Sequence, residues 1–202
     1  MIFARPRVRT PGVATLALTF DDGPDPRWTP AVLDALRAAG ARATFFVLGE
    51  RVRRHPDVVR RTIAEGHEVG VHADRHTRHS ELSADEGTAD LDRALEALDG
   101  VGIRPAAWRT PWGTEAEWTR PLAAERGLDL VGWTADTHDW RGDRAPEMLA
   151  AIRSDLRDGA IVLAHDALGP GATRAGCEET VALVRPLVAA ARERGLAPGS
   201  LA

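Results

Sequence analysis

The sequence predicts an α/β fold built on a parallel sheet, and three observations point there. Short apolar runs alternate with segments of helical period through about seven βα units. No low-complexity linker interrupts them. The side chains with chemical capacity fall where the apolar runs end. Such alternation implies parallel strands covered by helices, closed or nearly closed at this strand count, and a closed barrel and an open doubly wound sheet look alike at this level. With 202 residues the chain has enough length for one sizeable core and too little for two. It therefore reads as a single domain over residues 1–202 with its core at about 13–201.

The elements follow in order. Val13 to Phe20, rich in apolar and β-branched residues, is the first strand. Thr29 and Pro30 open a helix, with Thr as N-cap, an apolar face of Val32, Leu33, Leu36 and Ala39, and Gly40 as its stop. Ala43 to Leu48 is the second strand, residues 56–65 a helix ending at Gly66, and Glu68 to His72 the third strand. Ser83-Ala84-Asp85-Glu86 has the form of a capping box, and the helix after it carries Leu91, Ala94, Leu95 and Leu98 and ends at Gly100. Pro105 to Arg109 is a short strand; Leu128 to Thr134 and Ala160 to Ala164 are further strands, each behind a helical stretch. The last helix contains Val181, Val184, Val188 and Ala191 with Pro186 inside the pattern, which predicts a kink or a late start. Leu196 to Leu201 suits a final strand.

Composition narrows the function. Hydrophobic residues at 44% and charged residues at 28% place the chain among soluble globular proteins. A net charge of −4 gives no footprint for nucleic acid or an anionic membrane, and the basic cluster from Arg51 to Arg61 reads as a solvated helix face. No window reaches the apolar length of a membrane span, and Met1 to Pro6 lacks the apolar region of a signal peptide, so a cytoplasmic location is the default expectation. Nothing marks a protein partner. Cys177, the one cysteine, reads as inert beside a flexible-looking Gly169–Gly176 stretch suited to a rim loop.

Asp21 and Asp22 follow strand one, His72 and His76 strand three, Arg109 ends strand four, and Asp139 and His165 follow the next two. In parallel α/β folds all these strand ends face one side, so residues distant in sequence meet at one mouth. The four-residue spacing of His72 and His76 would put both imidazoles on one face of a helical turn, and Asp22 can add a carboxylate oxygen. Two His and one carboxylate leave positions open for water and substrate, and they suit Zn²⁺, with Co²⁺ or Ni²⁺ as alternatives. Asp-Asp-Gly-Pro is also ordinary turn chemistry, but a turn does not require two adjacent, mutually repelling carboxylates. Among the tryptophans, Trp28, Trp112 and Trp140 fall in loops where they can stack on sugars or wall a pocket. Trp108 and Trp133 read as core and Trp118 as helix packing. His67, His79 and His138 read as non-ligands, with His79 the strongest exception.

These residues carry a family resemblance. Thr19-Phe20-Asp21-Asp22-Gly23-Pro24, His72-Ala73-Asp74-Arg75-His76, Arg109-Thr110-Pro111-Trp112-Gly113, Asp136-Thr137-His138-Asp139-Trp140 and Leu163-Ala164-His165 recur in order across Thr15 to about Leu201. So arranged, the chain resembles the polysaccharide deacetylases of carbohydrate esterase family 4, which share the NodB homology domain. The resemblance implies an irregular (β/α) barrel of about seven parallel strands and metal-dependent removal of N-acetyl groups, or O-acetyl groups, from a sugar polymer or oligomer. It implies Asp21 as catalytic base, Asp22, His72 and His76 as metal ligands, and Arg109 holding the base. It implies the Trp112 N–H at the oxyanion, Asp139 tuning the acid His165, and Trp140 and Leu163 around the acetyl methyl. Ala73 departs from the family's Ser or Thr, whose hydroxyl steadies the histidine loop; Asp74 or Thr77 are the candidates to compensate. Two other readings share the fold: a metal amidohydrolase acting on a small amide, and a catalytically silent carbohydrate-binding relative.

Overall fold

The computed structural model describes residues 13–201; the amino-terminal stretch on which the leader reading rests lies outside them. Among these residues eight strands, β1 (Thr15–Asp21), β2 (Thr44–Leu48), β3 (Glu68–Ala73), β4 (Ala107–Trp108), β5 (Asp129–Leu130), β6 (Ala135–Asp136), β7 (Ala160–His165) and β8 (Ala197–Gly199), form one parallel sheet. Its path is β5-β4-β3-β2-β1-β7-β6, and β8 pairs with the first residues of β1. The strands β1, β2, β3 and β7 are buried almost throughout, as expected of parallel strands covered on both faces.

Among the described residues seven α-helices cover the sheet: α1 (Trp28–Ala39), α2 (Gly49–Arg54), α3 (Pro56–Ala64), α4 (Ala84–Asp99), α5 (Thr119–Glu125), α6 (Ala145–Ile152) and α7 (Glu178–Glu193). The main core lies between sheet and helices, where Phe20 stacks on Phe45 with centroids 5.2 Å apart. Alternate strand residues turn the other way and form a second cluster of Ala17, Phe46, Ala107, Val131, Ile161 and Leu201, inside the curl of the sheet. The curl is a half-barrel: β5 and β6, the ends of the path, are not hydrogen-bonded to each other. Residues 131–134 cross between them, which breaks the expected strand Leu128–Thr134 into two short pairings. The Val131 N–H is bonded to Trp108 on one side and the Thr134 N–H to Ile161 on the other.

Other expectations need correction. Thr29 is not the N-cap of α1: the Asp25 carboxylate accepts the Arg27 and Trp28 N–H groups instead, and Thr29 Oγ1 takes the Asp25 N–H and donates to Asp166. The capping box of α4 forms as expected between Ser83 and Glu86. Pro186 delays nothing, since α7 runs from Glu178 through it. The carbonyl it leaves without an N–H partner is that of Ala182, an exposed residue, so water can take it. The basic cluster is two helices, not one face, and Arg51 and Arg53 reach inward: Arg51 to the Leu168 carbonyl and Arg53 to buried Asp74.

Candidate active site

The strand ends assemble the site. Asp21 closes β1, and Asp22 follows with φ 77°, a left-handed conformation that Asp tolerates better than most side chains. That turn separates two adjacent carboxylates. Asp21 Oδ1 lies 2.7 Å from Arg109 Nη1, while Asp22 Oδ1 lies 3.6 Å from His72 Nε2 and 3.3 Å from His76 Nε2. His72 sits within β3 and His76 beyond its end, so the pair converges from a strand and a loop rather than from one helical turn. A Cβ on residue 169 would come within 2.0 Å of Asp22 Oδ2, so Gly169 is what lets the loop after β7 pass so close.

The donor set fits a cation on chemical grounds. His72 Nδ1 lies 2.7 Å from the Arg109 carbonyl, which can only accept, so Nδ1 carries the proton and Nε2 presents a lone pair to Asp22. Burial pushes His72 down to about 3 and His76 below its ordinary value, so both rings are neutral near neutral pH. Asp22 Oδ1 is buried with no hydrogen-bond partner. Three acceptors aimed at one another repel unless a positive charge lies among them, and Asp22, His72 and His76 form the one such group among the described residues, a site for a metal ion. His79, also four residues from Arg75 and three from His76, is committed elsewhere: its Nδ1 is 2.8 Å from Thr119 Oγ1 and its ring lies against Trp108 and Trp118.

Around this triad is a cavity of about 260 Å³ lined by Asp21, Asp22, His72, His76, Trp112, Trp140, Leu163 and His165. Arg109 and Asp139, each 1% exposed, lie behind the lining. Arg109 stacks over Phe46 and donates to Asp21, to Thr19 and to the carbonyls of Val131 and Gly132. Burial lowers its proton affinity and Asp21 opposes that. Asp139 Oδ1 is 2.7 Å from His165 Nδ1. Burial disfavours the charged ring, but Asp139, with Asp22 and Asp21 farther off, overrides it and raises His165 to about 9. Asp139 itself stays well below the usual carboxylate range: burial pushes it up, and His165, Arg174 and Thr180 outweigh that.

The ten residues to which the family resemblance gives roles therefore lie together, eight in the lining and Arg109 and Asp139 behind it. Trp133, expected in the core, lines the cavity as well, because it lies in the crossing between β5 and β6 rather than in a strand. Trp28 is not in the lining; it opens α1 under Arg27. The expected rim loop is present, with Gly169 to Ala172 and Arg174 along the cavity. Cys177 is buried and pushed up to about 12, which makes it inert as expected. Two polar side chains packed away from solvent were not foreseen. Arg174 donates to Asp139 from the rim loop. Asp166, wholly buried against Thr29 and pushed up by burial to about 7, lies where a Cβ on Gly23 would strike it. Neither has a spacing or motif that announces it.

Comparison with known proteins agrees with this geometry. The polysaccharide deacetylase family profile matches residues 9–131. The chain is 39% identical over 152 residues to a peptidoglycan-N-acetylglucosamine deacetylase of Listeria monocytogenes, covering 75% of this chain but only 32% of that longer protein. It is 35% identical over 194 residues to a chitooligosaccharide deacetylase of Bradyrhizobium, covering 91% of this chain and 87% of that one. The structure of a family 4 carbohydrate esterase from Streptomyces lividans in complex with acetate superposes with a TM-score of 0.83 at 29% identity over 92% of each chain. The half-barrel, the Asp-His-His triad and the profile match over residues 9–131 lead to one conclusion, that this chain belongs to the polysaccharide deacetylase family.

Proposed function

We propose that this chain is a metal-dependent deacetylase that hydrolyses the N-acetyl group of N-acetylglucosamine units in a glycan and releases acetate. The observation that carries the proposal is the placement, in one cavity, of the cation site beside an Arg-held carboxylate and an Asp-held imidazole. The relatives named above act on peptidoglycan and on chitooligosaccharide, and both substrates present the same acetamido group.

Asp22, His72 and His76 would hold a divalent cation, Zn²⁺ by the imidazole-rich donor set with Co²⁺ or Ni²⁺ also acceptable, and that ion would supply polarisation of the acetyl carbonyl and acidification of water. Asp21, pinned by Arg109, is the base that takes a proton from the attacking water. The Trp112 N–H donates to the oxyanion as it develops. His165 gives its proton to the departing amine while Nδ1–H stays on Asp139. Trp140 and Leu163 form the apolar wall against which the acetyl methyl rests.

The test is acetate release from N-acetylated chito-oligosaccharides and from peptidoglycan fragments, with small N-acyl amides as controls, before and after chelation and metal restoration. Metal-restorable release from the glycans is expected. Release confined to the small amides would replace the glycan reading, and silence on every substrate would leave a carbohydrate-binding relative.

A further inference from the structure

The carboxylate of Asp139 is held asymmetrically. Its Oδ1 faces a single partner, His165 Nδ1 at 2.7 Å. Its Oδ2 receives three donors: the His165 backbone N–H at 2.9 Å, Thr180 Oγ1 at 2.6 Å and Arg174 Nη1 at 2.9 Å. The Arg174 side chain is only 5% exposed. Nη1 also donates to Thr180 Oγ1, and Nη2 to the carbonyls of His165 and Ala167 at 3.0 and 3.1 Å. A buried guanidinium thus joins the end of β7, the start of α7 and the rim loop around one carboxylate.

We propose that Arg174 is a positioning residue for proton delivery: by fixing Asp139 Oδ2 it aims Oδ1 at His165, and its charge keeps the His165 proton transferable. The inference rests on the general-acid reading of His165. Asp139 alone would grip the imidazolium strongly, and a stronger grip makes a poorer acid. A cation on the far side of the carboxylate draws off part of that charge. The other titratable groups that act on the ring include Asp21, with Arg109 behind it, Asp22 and the neutral His76. Arg174 is thus the guanidinium that faces the Asp139 side of the ring. In the step itself the C–N bond breaks, its electron pair goes to nitrogen, and His165 supplies the proton from the ring nitrogen not bonded to Asp139, leaving a neutral ring.

The experiment uses the full chain loaded with Zn²⁺ and the variants Arg174→Met, Arg174→Lys and Thr180→Val. Two readings are taken: the His165 ring titration by NMR, which needs no substrate, and kcat and KM separately across pH on an N-acetylated chito-oligosaccharide. In Arg174→Met the titration should move up by about one unit and kcat should fall about tenfold with KM little changed. Arg174→Lys should recover part of both, and Thr180→Val should shift the titration the same way by less. An unmoved titration in a folded, metal-loaded Arg174→Met chain overturns the proposal, as does a rate loss that appears entirely in KM. If Arg174→Met does not fold, an unmoved titration in both Arg174→Lys and Thr180→Val overturns it equally. Failure of the acid reading itself shows separately, as a His165→Ala chain with the wild-type rate.

Discussion

At the scale of single residues, the adjacent Asp21 and Asp22 divide two tasks by direction. Asp21 continues the strand and meets Arg109, while the left-handed turn at Asp22 points its carboxylate at the two imidazoles. The pair therefore separates under mutation. Asp21→Asn keeps shape and removes the base, so kcat should fall by roughly three orders of magnitude while bound metal stays stoichiometric. His72→Ala should lose the metal on desalting and the activity with it. Metal content and acetate release measured on the same samples check both, and an Asp21→Asn chain at wild-type rate would remove the base assignment.

At the scale of elements, the loop after β3 has to hold His76 against a strand-borne His72 without the hydroxyl that Ala73 lacks. Asp74 does the fastening. Its N–H donates to Asp90 of α4 at 2.8 Å, and its buried carboxylate lies 2.6 Å from Arg53 of α2 and 3.3 Å from Arg93 of α4. The carboxylate can sit between those helices because Gly49 has no Cβ; one there would lie 2.5 Å from Asp74 Oδ1 and 2.7 Å from the Ala94 backbone. Trp108 of β4 adds a hydrogen bond from its indole to the His72 carbonyl at 3.0 Å. Asp74→Ala should therefore weaken metal binding about tenfold, the size usual for a partner behind the ligands, with the ligands themselves untouched. Competition with a chromogenic chelator measures it, and an unchanged affinity would show that the loop holds its shape by backbone alone.

At the scale of the whole molecule, Arg109 fills the inside of the half-barrel. It ties Asp21 and Thr19 of β1 to the carbonyls of the crossing between β5 and β6, where no strand pairing closes the curl. The buried titratable groups give the fold a pH dependence with a definite sign. His165 is raised from 6.5 to about 9, so its protonated form stabilises the fold fully below 6.5, and that contribution is lost as pH rises through about 9. The metal-free chain should lose up to roughly 3 kcal/mol over that window. On the acid side His72, lowered to about 3, and His79, lowered to about 4, favour unfolding as pH falls below 6.5, while Asp166, raised to about 7, acts in the opposite sense above 3.8. Urea midpoints across pH check the basic side: His165→Ala should flatten it, and a wild-type chain with constant stability from pH 6.5 to about 9 would contradict the assignment.

The parallel α/β class and the capping of α4 were legible in the sequence, and the family resemblance added the ten residues that gather in and behind the cavity lining. Those signals are local: apolar period, cap chemistry, and the place of Asp21, Asp22, His72, Arg109, Asp139 and His165 at or near strand ends that a parallel sheet must bring to one side. Tertiary packing was needed to show that the curl stays open between β5 and β6 and that Trp133 faces the cavity. It alone placed Arg174 and Thr180, 35 and 41 residues from Asp139, on the same carboxylate oxygen, and Asp166 against Thr29, 137 residues away. Such contacts have no sequence period, because they arise where separate elements pack together, and a polar side chain among them looks in the sequence like any other loop or helix residue.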